Sequence, residues 1–191
     1  MEGKGMQAAQ LKACLEENPV IAAVGDDKWA DALVSPACVL FYLSANLLSV
    51  RERIAEAHQA GKHVLIHMDL AEGIGRDRTG VRFLAECGAD GVLSTRAQLI
   101  HMAREQNLLA VQRFFLLDSK GMDSISEMLR NTNPNFIELM PGLISKCIRR
   151  FGSGSIPVIA GGLLETKAEV LEALGCGATA VSTGKKELWY L

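Results

Sequence analysis

At 191 residues the chain has the length of one domain, and with 49% apolar and 22% charged residues it can bury a core and is not a disordered polymer. A net charge of −2 excludes a general attraction to polyanions, so any nucleic acid must meet a local basic patch. No apolar run reaches the length of a membrane span, and Met1–Met6, with Gly3 and Gly5, reads as a frayed head without the apolar centre of a signal peptide.

Five cysteines (Cys14, Cys38, Cys87, Cys147, Cys176) are widely spread with no C-x-x-C pair. They predict free thiols in a reducing, cytoplasmic setting, without a disulfide framework or a structural zinc. The expected organisation is residues 1–17 as an N-terminal head and first helix, then a single domain over 18–191.

The first apolar run, Val20–Val24, follows Asn18-Pro19 and precedes the acidic pair Asp26-Asp27, a helix-start signature for the brief segment Lys28 to Val34. A second run is Val39 to Leu43. Ser49 then caps a helix over Val50–Ala60 that ends at Gly61. The third run, Val64 to Asp69, leads into a loop holding Glu72, Gly73, Gly75, Arg76 and Asp77, and a helix from Thr79 to Cys87 stops at Gly88. The fourth is Gly91 to Ser94, followed by a helix from Thr95 to Gln106. The fifth, Leu109 to Phe114, gives way to a helix from Ser119 to about Asn131. The sixth is Phe136 to Met140, with Pro141 suited to the first turn of the next helix. Ile156 to Gly162 is the seventh, Thr166 to Gly177 carries a helix, and Ala180 to Gly184 is the eighth.

Apolar runs that alternate with helical patterns specify right-handed βαβ crossovers and a parallel sheet. Eight of them favour closure into a compact (β/α)8 barrel, the TIM-barrel form of the α/β class. An open doubly wound sheet is the alternative. The chain is short for a barrel, so its helices and loops must be minimal.

In such a fold chemistry gathers where strands end. Gly161-Gly162 closes one strand, and Ser182, Thr183 and Gly184 close the next. Glycines let a phosphate approach backbone N–H groups and hydroxyls add donors, so these five residues predict a phosphate cup. The plain alternative is that Gly161-Gly162 only makes a tight turn. The other polar strand-end residues are His67, Asp69 and Glu72 after the third strand, Arg113 and Asp118 around the fifth, and Glu138 inside the sixth. Glu138 lies in an apolar run where an unpaired carboxylate is costly, so it needs a partner, and Arg113 on the preceding strand is the nearest. This cluster suits polar ligands for a polyol phosphate. It suits equally an enzyme acting on a phosphorylated three-carbon substrate with Asp69 or Glu138 as general base, or a structural ion-pair network. His67, Asp69 and Glu72 lack a second nearby histidine, so neither a metal nor a cofactor is expected. His58 and His101 fall on helical patterns and read as solvated.

Taken together, VLIHMDL (64–70), EGIGRD (72–77), GVLST (91–95), VQRFFLLDS (111–119), ELMPG (138–142), PVIAGGL (157–163) and VSTG with Leu188-Trp189 resemble the glycerol-3-phosphate-responsive antiterminator family. The resemblance runs from about Asn18 to Trp189. It implies a bacterial transcription regulator on a TIM-barrel scaffold that binds glycerol-3-phosphate, acts on the leader mRNA of a glycerol-utilisation operon and catalyses nothing. Carried onto this chain, the phosphate would meet Gly161, Gly162, Ser182, Thr183 and Gly184, and the polyol would face His67, Asp69, Glu72, Arg113 and Glu138. RNA contact rests on the resemblance. The basic residues that could supply it are Arg76 and Arg78 in one loop, near Arg82, and Lys146, Arg149 and Arg150 on one helix. Arg96 and Arg104 form a looser set, and each group could equally be a solvated face. A homo-oligomer is compatible with this reading, as is a barrel that passes its signal to a protein partner.

Overall fold

The computed structural model describes residues 7–116 and 119–191, with the backbone alone for 119–121. Asp118 and the Met1–Met6 head lie outside the described residues. Eight parallel strands close into a barrel in sequence order: β1 Val20–Val24, β2 Val39–Tyr42, β3 His63–His67, β4 Gly91–Ser94, β5 Leu109–Phe115, β6 Phe136–Met140, β7 Val158–Gly161 and β8 Ala180–Thr183. The seam is β1 against β8, with Ile21 opposite Ser182. There is no open edge, so the doubly wound alternative is excluded.

Helix α1 (Ala8–Glu17) precedes the barrel. The crossovers are α2 (Trp29–Val34), α3 (Val50–Gln59), α4 (Arg78–Cys87), α5 (Ala97–Glu105), α6 (Ser119–Thr132), α7 (Ser145–Gly152) and α8 (Lys167–Gly175). Economy comes from α2, only 6 residues long, and from the end of the barrel, where the 3-10 turn Lys186–Tyr190 follows β8. Local chemistry sets several helix ends. Thr166 and Glu169 form a reciprocal capping box at the start of α8. Asp77 Oδ1 accepts from the Gly80 N–H at the start of α4, and Gly88 ends it with φ +91°.

Period-two alternation divides each strand between two cores. Outward residues such as Ala22, Leu40, Ile66, Val92 and Val181 pack under the helices. Inward residues such as Ile21, Phe41, Leu65, Leu93, Val111, Phe136 and Ile159 fill the barrel. Leu11 and Leu15 of α1 join this interior cluster and are fully buried. The first helix therefore plugs the N-terminal end of the barrel and shares its core.

Four expectations need correction. Cys14 of α1 and Cys38, just before β2, are disulfide-bonded with an S–S distance of 2.15 Å, because the plug lays α1 across the start of that strand; Cys87, Cys147 and Cys176 are free. Strand β3 ends at His67 and a 3-10 turn takes Met68–Leu70, which swings Asp69 towards β4. Pro141 follows a cis peptide bond and stands ahead of α7, which starts at Ser145. The chain first hugs β7, where the Gly142 N–H donates to the Gly161 carbonyl at 2.6 Å. Finally, His58 Nε2 lies 2.9 Å from Asp90 Oδ2, a carboxylate that also accepts from the Val64 N–H, so this histidine has a fixed partner.

Candidate functional site

The same alternation that fills the barrel with apolar groups builds the site one step further on. Two residues beyond Leu65, Val111, Phe136, Ile159 and Ala180 stand His67, Arg113, Glu138, Gly161 and Ser182, the interior positions at the C-terminal mouth. Glu138 is fully buried and both its oxygens are occupied. Oε2 accepts from Arg113 Nε at 2.5 Å, and Oε1 accepts from Ser182 Oγ at 2.5 Å. The register puts Arg113 directly opposite Glu138, as the need to neutralise a buried carboxylate requires. Gly161 is forced by this network: a Cβ there would sit 2.5 Å from Glu138 Oε1 and 2.6 Å from Ser182 Oγ.

His67 completes the layer. Its Nε2 lies 3.5 Å from Arg113 Nη1, and because a guanidinium only donates, Nε2 accepts and Nδ1 carries the proton. That Nδ1 is the buried side-chain polar atom without a hydrogen-bond partner among the described residues. Burial, with the Arg113 charge beside it, lowers the imidazole pKa to about 4 against the opposing pull of Asp69, so the ring is neutral.

Asp69 has both oxygens engaged from β4. Oδ1 accepts from Ser94 Oγ at 2.8 Å, and Oδ2 accepts from the Thr95 N–H at 2.7 Å and the Thr95 hydroxyl at 2.9 Å. Burial would raise its pKa, but these donors outweigh burial and hold it below the ordinary carboxylate range. It stands between two cations or potential cations, 3.9 Å from His67 Nε2 and 3.7 Å from Arg96 Nε. Glu72 is not brought to this layer. It sits exposed on the rim, in a parallel bridge with Asn46, and its Oε2 accepts from Asn46 Nδ2 at 3.3 Å.

At the other side of the mouth β7 and β8 end together. Gly162, at φ +72°, and Leu163, at φ +61°, turn the chain sharply; a Cβ on Gly162 would lie 2.6 Å from Met140 Cε. Ser182 faces inward and Thr183 outward. The Thr183 hydroxyl donates to the Leu164 carbonyl at 3.0 Å and accepts from the Lys185 N–H at 3.2 Å, so it shapes the loop. The Thr183 carbonyl accepts from the buried Trp189 Nε1 at 2.9 Å.

Lys28 was not among the sequence candidates. Its half-buried side chain crosses from the turn after β1 to place Nζ 2.8 Å from the Gly184 carbonyl. Two of its three N–H donors stay available beside the cup. Only barrel closure joins residues 156 apart, so no local pattern could have revealed it.

The basic residues separate by partner. Arg78 Nη1 lies 2.5 Å from Glu105 Oε2, and Arg150 Nη2 lies 2.7 Å from Asp123 Oδ1. Arg76, Lys146 and Arg149 are exposed with no ion pair among the described residues. Among those residues no three His, Cys, Asp or Glu side chains are grouped to hold a metal, and no helix is long and apolar enough to cross a membrane.

Fold and mouth define the class: a small (β/α)8 barrel with a buried polar layer at the C-terminal ends of its strands. Residues 20–189 match the family described as glycerol-3-phosphate responsive antiterminator, and the chain belongs to it. The glycerol uptake operon antiterminator regulatory protein of Listeria monocytogenes str. 4b F2365 is 33% identical, with a TM-score of 0.84 over 90% of this chain and 95% of that one. A glycerol uptake operon antiterminator-related protein of Thermotoga maritima MSB8 is 30% identical, with a TM-score of 0.81 over 89% of this chain and 96% of that one. The uncharacterized protein YgcP of Escherichia coli (strain K12) is 32% identical over 181 residues, 93% of this chain and 94% of YgcP.

Proposed function

We propose that the barrel mouth binds glycerol-3-phosphate as a sensor and that the liganded chain acts on the leader mRNA of a glycerol-utilisation operon. The observation that carries the ligand half is His67 Nδ1, a buried donor with no partner among the described residues. Leaving such a group unsatisfied costs about 1–3 kcal/mol, and a ligand oxygen relieves that cost. In this reading a hydroxyl of the glycerol accepts from His67, and Arg113 presents a second donor. The phosphate lies against the backbone at Gly161-Gly162 and Gly184, with Ser182 at its base and Lys28 supplying positive charge.

Binding rather than turnover is favoured by the carboxylates. Glu138 is fully buried with Arg113 on one oxygen and Ser182 on the other, and Asp69 accepts three bonds from Ser94 and Thr95, so both carboxylates are already committed to protein donors. The RNA half rests on family membership; of the candidate cations Arg76, Lys146 and Arg149 have no ion pair among the described residues, whereas Arg78 and Arg150 are paired with Glu105 and Asp123.

Calorimetry with glycerol-3-phosphate, glycerol and inorganic phosphate tests the ligand. The phosphate ester should bind at least tenfold tighter than either fragment, and Lys28→Met should weaken it tenfold or more, the scale of one lost charge-assisted hydrogen bond of about 1.5–3 kcal/mol. Absence of heat with glycerol-3-phosphate would overturn the reading. Incubation with glycerol and triose phosphates, followed by NMR, should return them unchanged; turnover abolished by Asp69→Asn would establish an enzyme instead.

A further inference from the structure

Beside the mouth, the β3–α4 connection and the start of the β4–α5 connection enclose an open cleft of about 830 Å³, lined by Leu70, Glu72, Gly73, Gly75, Arg76 and Arg96. Its character is two-sided. Arg76 and Arg96 are exposed, and among the described residues the ion pair of Arg96 is with Asp69, whose charge three donors from Ser94 and Thr95 already share. The carboxylate of Glu72 is turned to Asn46. Alongside lie apolar side chains that water should disfavour: Leu70 is 54% exposed, Leu47 44% and Leu48 93%. The loop carrying the two leucines after β2 is strapped to the cleft, with the Leu47 N–H donating to the Glu72 carbonyl at 2.9 Å. Gly73, at φ +70°, lets them meet, since a Cβ there would sit 3.1 Å from Leu47 Cβ.

We infer that this cleft seats single-stranded RNA: Arg76 and Arg96 grip a phosphate, and Leu70 with Leu47 and Leu48 covers the face of an adjoining base. The inference rests on the antitermination reading and gives it a surface. A guanidinium fork matches phosphate geometry, and single strands are held without sequence preference by a positively charged groove beside platforms that cover the base faces; here the platform is aliphatic. Of the other basic candidates, Arg78 and Arg150 are already paired with Glu105 and Asp123, and Lys146 and Arg149 do not line this cleft with its apolar flank. The cleft also shares a residue with the mouth. Asp69 is 3.9 Å from His67 and 3.7 Å from Arg96, so a ligand that engages His67 alters the field felt by an RNA-facing arginine. By linkage, RNA must then raise the affinity for ligand by the same factor that ligand raises the affinity for RNA.

The test is filter binding of the full chain to the operon leader transcript and to oligo(U), across a salt series, with and without glycerol-3-phosphate. Arg76→Ala/Arg96→Ala should lower RNA affinity at least tenfold and flatten the slope of log affinity against log salt by about 0.7, the value for one phosphate contact on a single strand. Calorimetric affinity for glycerol-3-phosphate should change less than twofold. Both arginines are exposed, so the fold should tolerate the change. Arg76→Lys/Arg96→Lys should keep the salt slope yet still bind more weakly, because the fork is gone. Loss of RNA affinity in Lys146→Ala/Arg149→Ala, with the Arg76/Arg96 alanine pair binding normally, would move the RNA surface to α7 and overturn the cleft. An unchanged slope and affinity in the alanine pair would overturn the cleft while leaving the antitermination reading intact. A mononucleotide bound as tightly as the transcript would make it a small-anion pocket and overturn it too. If the unaltered chain binds neither RNA, the antitermination reading itself falls and takes the cleft with it.

Discussion

The two ends of the barrel interior are made from the same strands, one alternation step apart, and they solve opposite problems. At the N-terminal end Leu11 and Leu15 of α1 share one apolar cluster with Ile21, Phe41, Val111 and Phe136. At the mouth the next inward residues are His67, Arg113, Glu138 and Ser182, all at most 9% exposed. The plug gains from every methylene it removes from water, about 0.8 kcal/mol each. The mouth contains a buried ion pair whose desolvation cost offsets much of its attraction. Stability is concentrated at one end and recognition at the other.

The largest effect expected is the one that breaks the mouth asymmetrically. Arg113→Ala strands the fully buried Glu138 and should cost about 3–5 kcal/mol in urea unfolding. Arg113→Met with Glu138→Leu should recover most of that stability while abolishing ligand heat. If the double variant is as unstable as the single, the ion pair is structural and the contrast between the ends fails.

The plug is tested by Leu15→Ala, which should cost about 2–5 kcal/mol, as for leucines elsewhere in close-packed cores. Glycerol-3-phosphate affinity should be retained below the unfolding midpoint. A loss under 1 kcal/mol would mean that α1 only rests on the barrel.

Acid separates the ends by chemistry, since the interior residues clustered with Leu11 and Leu15 are all apolar. The folded pKa of His67, about 4, lies below its unfolded value of 6.5, so the unfolded chain takes up the proton first. Its contribution is fully present above pH 6.5 and is lost as pH falls towards 4, by roughly 3 kcal/mol at most. Urea midpoints measured at intervals across that window should fall more steeply for the natural chain than for His67→Gln. Parallel curves would refute a neutral buried imidazole.

The smallest expected effect lies at the cup. Leu163 holds φ +61° and leaves its side chain 67% exposed, so Leu163→Gly relieves backbone strain at little cost in packing. Thermal unfolding should show a gain of up to about 1 kcal/mol, reduced by the extra freedom glycine gives the unfolded chain. A substantial loss would show that packing of the leucine side chain outweighs the backbone strain.

The barrel was legible because its evidence is local: apolar runs, caps such as Thr166 and stops such as Gly88. The pairing of Arg113 with Glu138 was legible too, since a carboxylate within an apolar strand must be neutralised. Alternation also separates two neighbours in the cup. Ser182 and Thr183 are adjacent, so they cannot both face the mouth, and Thr183 in fact serves the loop. What stayed hidden was long-range. Lys28 reaches Gly184 only because β1 closes against β8, and Asp69 turns to β4 only after β3 has ended. The plug was hidden for another reason: Leu11 and Leu15 carry an interface of two side chains, too brief to announce its target.

The hydrogen bond from Trp189 to the Thr183 carbonyl has an optical consequence. The chain contains two tryptophans; Trp189 is fully buried and anchored at the end of β8, while Trp29, 2% exposed, follows Lys28 directly. Trp189 is therefore tied to the strand end that carries the proposed phosphate position, whereas Trp29 donates to Glu56 and packs on Tyr42; both are in surroundings dry enough for blue-shifted emission. Filling the cup would change the electric field across Trp189, and intrinsic fluorescence would follow occupancy in real time with no added dye.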